Sequence, residues 1–547
     1  VRTTELASRL VPTVWLWLGW LSAAALSLTG PVTVRADTPP PAAALQLLEQ
    51  KDFASKGQGI DALAASGYAG AQDLLSALLE GRLYLRKEDQ RLVLAEKGDG
   101  GYRIIDALEG DVLGTVKKRK LKKIRINNQL RGRIRTAIAR LSLSDPDPQV
   151  RLDAVNRMLD RLTPESAALL GTRLPQEQDA DVRAAMATAT ALADLESEDE
   201  ARRLAAVERL HGNLHPAVRV ALTRLAKGGD APETAAAARQ ALNAIDLRLQ
   251  LYGVVETLFF GLSLGSVLVL AAIGLAITFG VMGVINMAHG ELIMLGAYTT
   301  YLIQQLMPDL IDLSLFVAIP AAFVVSGLVG ILIERGVIRF LYGRPLETLL
   351  ATFGVSLVLQ QLARTLISPQ NVPVSNPSWM SGSLELNSVL SLTLNRLYII
   401  AFALLVFAAL FLILKRTALG LQVRAVSQNR AMARAMGVRS ARVDALTFGL
   451  GAGIAGVAGV ALSQLTNVGP NLGQAYIIDS FMVVVFGGVG NLWGTLVGGL
   501  SLGVANKFLE PWAGAVLAKI LVLVFIILFI QKRPRGLFPQ SGRAAEH

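Results

Sequence analysis

Three polar side chains lie close together in an otherwise apolar stretch, Ile277 to Tyr298, with the sequence ITFGVMGVINMAHGELIMLGAY. Asn286 can donate and accept hydrogen bonds, His289 can exchange a proton near neutral pH, and Glu291 can carry a negative charge. An ionisable side chain at the centre of a bilayer costs roughly 2.5 kcal/mol or more, so such residues usually face a bundle interior or an aqueous path. The pattern therefore favours a polar path through a membrane domain.

A second segment repeats part of this pattern. Phe279 to Asn286 and Phe486 to Asn491 both run from Phe-Gly through a further glycine to asparagine. Paired, glycine-interrupted segments in the two halves of a transporter point to its path, although chance similarity between two glycine-rich apolar stretches is the alternative. The residues predicted to line the path are Asn286, His289, Glu291, Gly487, Asn491 and Trp493.

A catalytic interpretation finds little support in the sequence. There is no cysteine, no GxxxxGK[ST] phosphate loop, no Gly-x-Ser-x-Gly elbow and no histidine pair with metalloprotease spacing. His211 and His215 stand four residues apart, but no third ligand is near and a proline follows His215, so a metal site is not expected. We predict that the chain is not an enzyme and has no catalytic residue, cofactor or metal.

The composition divides the chain into two unlike parts. Of its 547 residues, 52% are hydrophobic and only 17% are charged. Residues 37–250 are rich in arginine, alanine and acidic residues, whereas residues 253–531 read as successive apolar spans. The net charge of +11 lies largely in loops that flank these spans, where positive-inside sorting explains it. No nucleic-acid partner is therefore expected.

The second part has the pattern of a polytopic, all-α membrane protein with about eight or nine transmembrane helices, since a helix needs ~20 apolar residues to span the hydrocarbon. The seventh predicted span is short and glycine-rich, so we expect half a helix or a re-entrant segment rather than a full crossing. The predicted spans are residues 253–279, 282–306, 314–338, 347–367, 396–414, 444–466, 478–490, 495–511 and 513–531.

Loop charges predict the orientation of these spans. Residues 415–443 hold seven arginines and lysines and no acidic residue, and residues 335–344 and the tail after residue 531 are also basic. The loops 307–313 and 368–395 have no arginine or lysine. By the positive-inside rule the basic set is cytoplasmic, which gives a cytoplasmic C-terminus and an exported N-terminal domain.

The basic loop is also rich in helix-forming residues. Its sequence, KRTALGLQVRAVSQNRAMARAMGVRSARV, predicts a short helix under the membrane that ends at Gly437, close to the next span. Such a helix would suit docking of a cytoplasmic motor. The alternative is a basic loop held to anionic lipid.

The front of the chain reads as an exported region. Residues 1–36 resemble a signal peptide, with an uncleaved first membrane helix as the alternative, and residues 37–42 form a proline-rich linker. Domain 37–250 is predicted to be mostly helical, with a small β insertion at about 82–126. Val-Arg motifs at Val150, Val182 and Val218 suggest HEAT-like repeats, and a generic helical bundle is the alternative.

Three segments resemble the permease subunits of branched-chain amino acid ABC importers, the LivH type. They are GVMGVINMAHGELIMLGAY, RAVSQNRAMARAMGV and FGGVGNLWGTLVGG. The resemblance covers residues 253–540 and fits a permease domain at 251–540. It implies a bacterial inner-membrane subunit that pairs with a second homologous permease, two cytoplasmic ATPases and a periplasmic solute-binding receptor. It implies a coupling role for residues 425–438, and the predicted coupling residues are Arg424, Asn429, Ala433, Arg434 and Gly437.

The exported front domain resembles the architecture of urea importer permeases, the UrtB type, within this family. The preferred interpretation is therefore import of urea or short amides, and branched-chain amino acid import is the alternative within the class. A passive channel for small neutral solutes is an alternative of another class, and a membrane-anchored scaffold is a third. None of the polar residues named above selects urea.

Overall fold

The computed structural model describes residues 42–538 except 51, 69, 99–100, 109, 229–230 and 388. The predicted signal peptide and nearly all of the predicted linker lie outside the described residues. The chain divides into two compact units, Val1–Leu242 and Asn243–His547, which are described separately below.

The first unit begins with three helices and a small antiparallel sheet, as the alternating pattern at 82–126 predicted. Leu83 and Leu85 of the sheet pack with the surrounding helices, whereas Tyr84 belongs to a second apolar cluster with Val93 and Ile104. This alternation follows from the two-residue period of a strand, and it buries side chains on both faces. The elements are α1 (Ala42–Glu49), α2 (Phe53–Ala65), α3 (Ala71–Glu80), β1 (Leu83–Arg86), β2 (Leu92–Gly98), β3 (Gly101–Asp106), β4 (Val112–Val116) and β5 (Leu121–Lys123), in the sheet order β4-β3-β2-β1-β5.

Helices follow the sheet, and the repeated motifs mark the starts of three of them. Asp147, Asp179 and His215 are the N-caps of α5, α7 and α9, and each cap side chain accepts a hydrogen bond from a backbone N–H of the first turn. The repeat motif is thus a helix-capping motif, and the HEAT-like arrangement stays a prediction. The helices are α4 (Asn128–Ser142), α5 (Pro148–Leu159), α6 (Pro164–Arg173), α7 (Ala180–Asp194), α8 (Glu200–Arg209) and α9 (Pro216–Lys227).

Helices build the second unit, and most of them are long and apolar. They are α10 (Pro232–Met282, which begins in the first unit), α11 (His289–Leu306), α12 (Ile311–Gly336), α13 (Pro345–Leu366), α14 (Leu394–Arg416), α15 (Ala418–Gln428), α16 (Arg430–Ala435), α17 (Ser440–Ser463), α18 (Leu472–Gly487) and α19 (Leu492–Lys532), with a short hairpin of β6 (Ser383–Glu385) and β7 (Ser391–Thr393) before α14.

Within the described residues, six helices are long and apolar enough to cross a membrane: α10, α12 with its flanking turns, α13, α14, α17 and α19. This number is below the eight or nine spans predicted. Two shorter helices, α11 and α18, fall outside the set, and α19 is counted once although it covers the last two predicted spans and is interrupted by the non-helical residue Gly514. The number of crossings beyond six stays a prediction.

Helix α19 reverses direction at Gly514, whose φ of 76° lies in the left-handed region. A Cβ atom at Gly494, near the start of α19, would lie 2.1 Å from the carbonyl oxygen of Gly487. Just after the end of α19, the N–H of Leu537 donates to the carbonyl of Phe486 at 2.9 Å. Both ends of α19 therefore adjoin the end of α18, so its two halves run antiparallel.

The basic segments lie together at one end of the second unit. Arg430 of the 415–443 loop lies 4.8 Å from the ring centroid of Tyr342 in the 335–344 segment. At the other end, Gln304 donates to the carbonyl of Ser375 at 2.8 Å, and Ser378 donates to Asp312 at 2.7 Å. The grouping agrees with the charge pattern, whereas the side of the membrane that each end faces stays a prediction.

The core of this unit is built around α17, which is buried along most of its length against α11 and α12. Close backbone approach explains its many glycines. A Cβ atom at Gly296 of α11 would lie 1.9 Å from the carbonyl oxygen of Gly456 in α17, a distance that no side chain tolerates. Ser326 of α12 also donates to the carbonyl of Leu292 in α11 at 3.0 Å. These contacts position the start of α11.

Candidate translocation site and coupling loop

The helical structure is interrupted between α10 and α11, in the middle of the segment that the sequence singled out. Helix α10 ends at Met282, Gly283 has a φ of 65°, and α11 starts at His289. The predicted span 282–306 is therefore helical only from His289, and its start was placed too early. A residue in the left-handed region ends the helix, and Asn286 then holds the loop because its Oδ1 accepts from the N–H of Ala288 at 3.0 Å.

His289 opens α11 and is completely buried. Its Nε2 lies 2.9 Å from the carbonyl oxygen of Ala271 in α10. Since a carbonyl can only accept, Nε2 carries the proton and Nδ1 of the neutral ring is an acceptor. Nδ1 has no hydrogen-bond partner among the described residues.

Glu291 lies in the first turn of α11 and is 1% exposed. Its Oε1 accepts from Ser356 Oγ at 3.0 Å and from Gln360 Nε2 at 2.7 Å, both on α13. Its other oxygen, Oε2, finds no partner within the part of the chain that the structure describes. A buried carboxylate oxygen without a partner is costly, so this atom is a candidate contact for a solute or water.

Asn286 completes the group. It is 1% exposed, and its Nδ2 donor is unpartnered in the described region. Next to it, the N–H of Met287 donates to Thr352 Oγ1 of α13 at 3.1 Å. The structure therefore brings together all three polar residues at one buried break, with one donor and two acceptors unused.

The second glycine segment meets the first through its backbone. A Cβ atom at Gly280 would lie 2.4 Å from Cα of Gly490. Within the second segment, a Cβ atom at Gly487 would meet the carbonyl oxygen of Gly494 at the start of α19. The two similar segments thus touch where only glycine fits.

Asn491 and Trp493 have other contacts. Asn491 is the N-cap of α19: its Oδ1 accepts from the N–H of Gly494 at 3.1 Å, and its Nδ2 donates to the carbonyl of Phe538 at 3.2 Å. Trp493 is 52% exposed and packs on Phe407 and Phe411, with ring centroids 5.4 and 5.8 Å away. These partners account for the hydrogen-bonding groups of Asn491, and its place in a path stays a prediction.

Sequence reasoning missed the polar face of α13. Thr348, Thr352, Ser356 and Gln360 recur every fourth residue, and all four are buried. Residues four apart share one face of a helix, so this face is turned toward the break before α11. The spacing alone, in an apolar helix, could have indicated it.

The basic loop forms two short helices, α15 and α16, where one helix over 425–438 was predicted. Asn429 separates them because it is extended (φ −148°, ψ 100°), and its Oδ1 caps α16 by accepting from the N–H of Met432 at 2.9 Å. The predicted stop at Gly437 agrees with the structure: α16 ends at Ala435, and Gly437 has a φ of 88°.

The remaining predicted coupling residues have separate partners. Arg424 donates to the carbonyl of Leu414 at the end of α14, and Arg434 donates from Nε to Ser440 Oγ at 2.8 Å. Ala433 is buried in an apolar cluster with Val423 and Val443. The loop is therefore packed against the long helices at its inner face, and its outer face is exposed.

A cavity of about 280 Å³ lies between this loop and the glycine junction. Gly280 and Gly490 line one side, and Arg424 and Ser427 of α15 line another. The cavity places the loop directly beside the point where the two glycine segments meet.

His215, one of the two histidines that the sequence singled out in the first unit, caps a helix. His215 Nδ1 accepts from the N–H of Ala217 at 3.3 Å, which uses that nitrogen for capping α9, and partial burial lowers the pKa of the imidazole. Among the described residues, no group of three His, Cys, Asp or Glu side chains could hold a metal ion.

The second unit is similar in sequence to known transport proteins. A family model described as the branched-chain amino acid transport system permease component matches residues 257–530. The chain is 31% identical over 298 residues to the high-affinity branched-chain amino acid transport system permease protein BraD of Pseudomonas aeruginosa, covering 53% of this chain and 96% of that protein. It is 33% identical over 291 residues to LivH of Salmonella typhimurium, covering 52% of this chain and 94% of that protein.

A more distant similarity extends to the ribose import permease protein RbsC of Haemophilus influenzae, 25% identical over 211 residues, or 37% of this chain and 62% of that protein. No solved structure matches the chain. The first unit lies before the residues that the family model matches.

Proposed function

The chain belongs to the branched-chain amino acid transport permease family, and we propose that it lines the solute path of an ATP-driven importer in the bacterial inner membrane. The observation that carries this proposal is the near-complete coverage of the relatives by the apolar second unit. Asn286, His289 and Glu291 supply the polar contacts of that path.

The first candidate solute is a branched-chain amino acid, which the names of the BraD and LivH relatives favour over urea. The unused atoms at the break agree with such a solute. Glu291 Oε2 and His289 Nδ1 accept, which suits an ammonium group, and Asn286 Nδ2 donates, which suits a carboxylate.

Urea is the second candidate, and one observation favours it. The relatives cover only about half of this chain, and a separate unit of helices and a small sheet precedes the matched region. An exported domain in front of the permease is the architecture that resembles urea importers. Urea also has several N–H donors and one acceptor oxygen, so it fits the same three unused atoms.

Transport of either solute requires partners. A second homologous permease provides the other wall of the path, a solute-binding receptor delivers the solute, and two ATPases dock on α15 and α16. The outer face of this loop is exposed, with Met432 and Met436 60% and 78% exposed. Exposed methionines on a helical surface suit a protein partner. ATP-driven movement of the loop then opens the two sides alternately.

Uptake of labelled leucine and labelled urea by a strain deleted for this gene, with and without the gene restored, tests the proposal. ATP-dependent uptake of leucine supports the first candidate, and uptake of urea alone supports the second. Uptake that persists without ATP would identify a passive channel. No uptake of any small solute would leave the scaffold interpretation and contradict the proposal.

A further inference from the structure

One charged contact ties the basic loop to the membrane helices. Arg430, the first residue of α16, donates from Nη2 to Asp444 Oδ1 at 2.8 Å. Asp444 lies in the early part of α17 and its side chain is 1% exposed, whereas the Arg430 side chain is 31% exposed. The arginine therefore reaches from the loop surface into a buried carboxylate.

Two further groups surround this pair. The Arg430 guanidinium lies 4.8 Å from the ring centroid of Tyr342, which follows α12. Burial, together with the negative charges of Asp444 and Glu334, raises the pKa of the Tyr342 phenol, whereas the positive charge of Arg430 opposes this increase. Glu334, at the end of α12, is itself 1% exposed. Arg430 thus contacts α17 directly through Asp444 and lies over the ring of Tyr342, whereas Glu334 pairs with its neighbour Arg335 at 3.6 Å.

The chemistry of arginine suits this position. A guanidinium can donate hydrogen bonds in its plane and stack on an aromatic ring at the same time, which a lysine ammonium cannot do in the same geometry. Removing the cation from a buried pair is strongly destabilising because the carboxylate is left without compensation. The contact therefore resists separation of α16 from α17.

Helix α17 connects this contact with the helices beside the polar interruption between α10 and α11. A Cβ atom at Gly459 would lie 2.0 Å from the carbonyl oxygen of Ile293, and one at Gly456 would meet α12 at Ala322. Such close backbone contacts transmit displacement because packed interfaces shift as units. Ile293 lies two residues after Glu291, in the same helix. A movement of α17 is thus expected to move the start of α11.

We propose that Arg430 is a positioning residue that fastens the ATPase-docking loop to α17, so that movement of the loop reaches the polar break at α11. This inference rests on the proposed function. Sequence reasoning counted Arg430 only as one of the positive charges of the loop.

The test uses the assembled importer in proteoliposomes, with both permeases, the ATPases and the receptor. Four variants are compared with the wild type: Arg430→Gln, Asp444→Asn, the double variant and Arg430→Lys. Arg442→Gln is the matched control, since it removes an equal charge from an exposed position two residues from Asp444. Solute uptake, ATP hydrolysis and retention of the ATPases are measured on the same preparations.

We expect uptake to fall at least ~10-fold in both single variants, with ATPase retention and hydrolysis within about twofold of wild type, and to remain partly intact in Arg430→Lys. Uptake by the double variant should be no lower than uptake by either single variant, because both substitutions act through one contact. Multiplied losses in the double variant, or equal losses in Arg442→Gln, would overturn the inference. A wild-type complex without ATP-dependent uptake would instead contradict the proposed function.

Discussion

Gln360 of α13 donates to the buried carboxylate of Glu291 at 2.7 Å and so ties the first turn of α11 to α13. Ser356, one turn earlier on α13, donates to the same oxygen at 3.0 Å. The second carboxylate oxygen of Glu291 has no hydrogen-bond partner among the described residues. One oxygen fixes the position of the side chain, and the other is the atom that we propose as a contact for the solute.

Replacing Glu291 with leucine is expected to reduce uptake at least ~10-fold, because two buried donors on α13 lose their acceptor and the path loses a polar contact. Glu291→Gln should retain more activity, since its carbonyl can still accept from Gln360. Labelled-solute uptake at matched protein levels measures the effect. Thr300→Val on the same helix is the control, as the Thr300 hydroxyl donates only to Gly296 of its own helix. Normal uptake in Glu291→Leu would remove this residue from the path.

His289→Leu is expected to lower uptake. His289→Gln retains a donor that can reach the carbonyl of Ala271, so it should retain part of the wild-type uptake. The reason is that Nε2 holds the α10–α11 junction while Nδ1 faces no partner in the described structure. Uptake and the yield of folded protein are measured together. Equal loss of folded protein in both variants would identify a packing role only.

Gly290→Ala should destabilise the protein, because a Cβ atom there would lie 2.4 Å from the carbonyl oxygen of Gly473 in α18. Overpacking of this kind typically costs ~1–3 kcal/mol. Gly354→Ala in α13 is the matched control, with no atom within 4 Å of the added methyl group. Thermal unfolding in detergent should show a lower midpoint for Gly290→Ala and no decrease for Gly354→Ala. The opposite order would contradict the close contact of α11 and α18.

Gly437→Ala is expected to weaken coupling, since a residue other than glycine in the left-handed region costs ~1–2 kcal/mol. Gly437→Asn should be milder because asparagine adopts this conformation more readily. ATP-dependent uptake is measured beside membrane insertion, which should be unchanged. Gly336→Ala, also without atoms nearby, is the control. Unchanged uptake in Gly437→Ala would leave the turn without a coupling role.

In the first unit, Arg151 and Glu177 form a bidentate pair at 2.8 and 3.0 Å, with side chains 14% and 7% exposed. The hydrogen bonds from Arg151 lower the pKa of Glu177. The pair therefore stabilises the unit above the pKa that Glu177 has when unfolded, and this stability is lost as the pH falls through the lower, folded pKa. Hydrogen exchange of α5 amides in the full chain should increase at acidic pH, and Glu177→Gln should remove most of this dependence. Equal pH dependence in Glu177→Gln would contradict the role of this pair.

Several features were predictable because they depend on local chemistry. The small sheet followed from period-two alternation, and the end of the helix in the basic loop followed from Gly437. The grouping of the basic loops at one end followed from charge alone. Asn286, His289 and Glu291 were recognised because polar residues are conspicuous in an apolar segment.

Other features were not predictable from local sequence. The predicted span 282–306 began several residues before its helix, which starts at His289, because hydropathy does not report backbone conformation. Asn491 resembled Asn286 in its local sequence, yet its side chain caps a helix and donates to Phe538.

By itself, the sequence determined the membrane class, the family and the polar character of the break, since composition and motif are properties of the chain alone. Only the tertiary structure decided which polar atoms are unused, that α13 presents a polar face to Glu291, and that Arg430 reaches Asp444. These depend on which helices pack against each other, and in this unit glycine-mediated backbone contacts between segments distant in sequence set that packing.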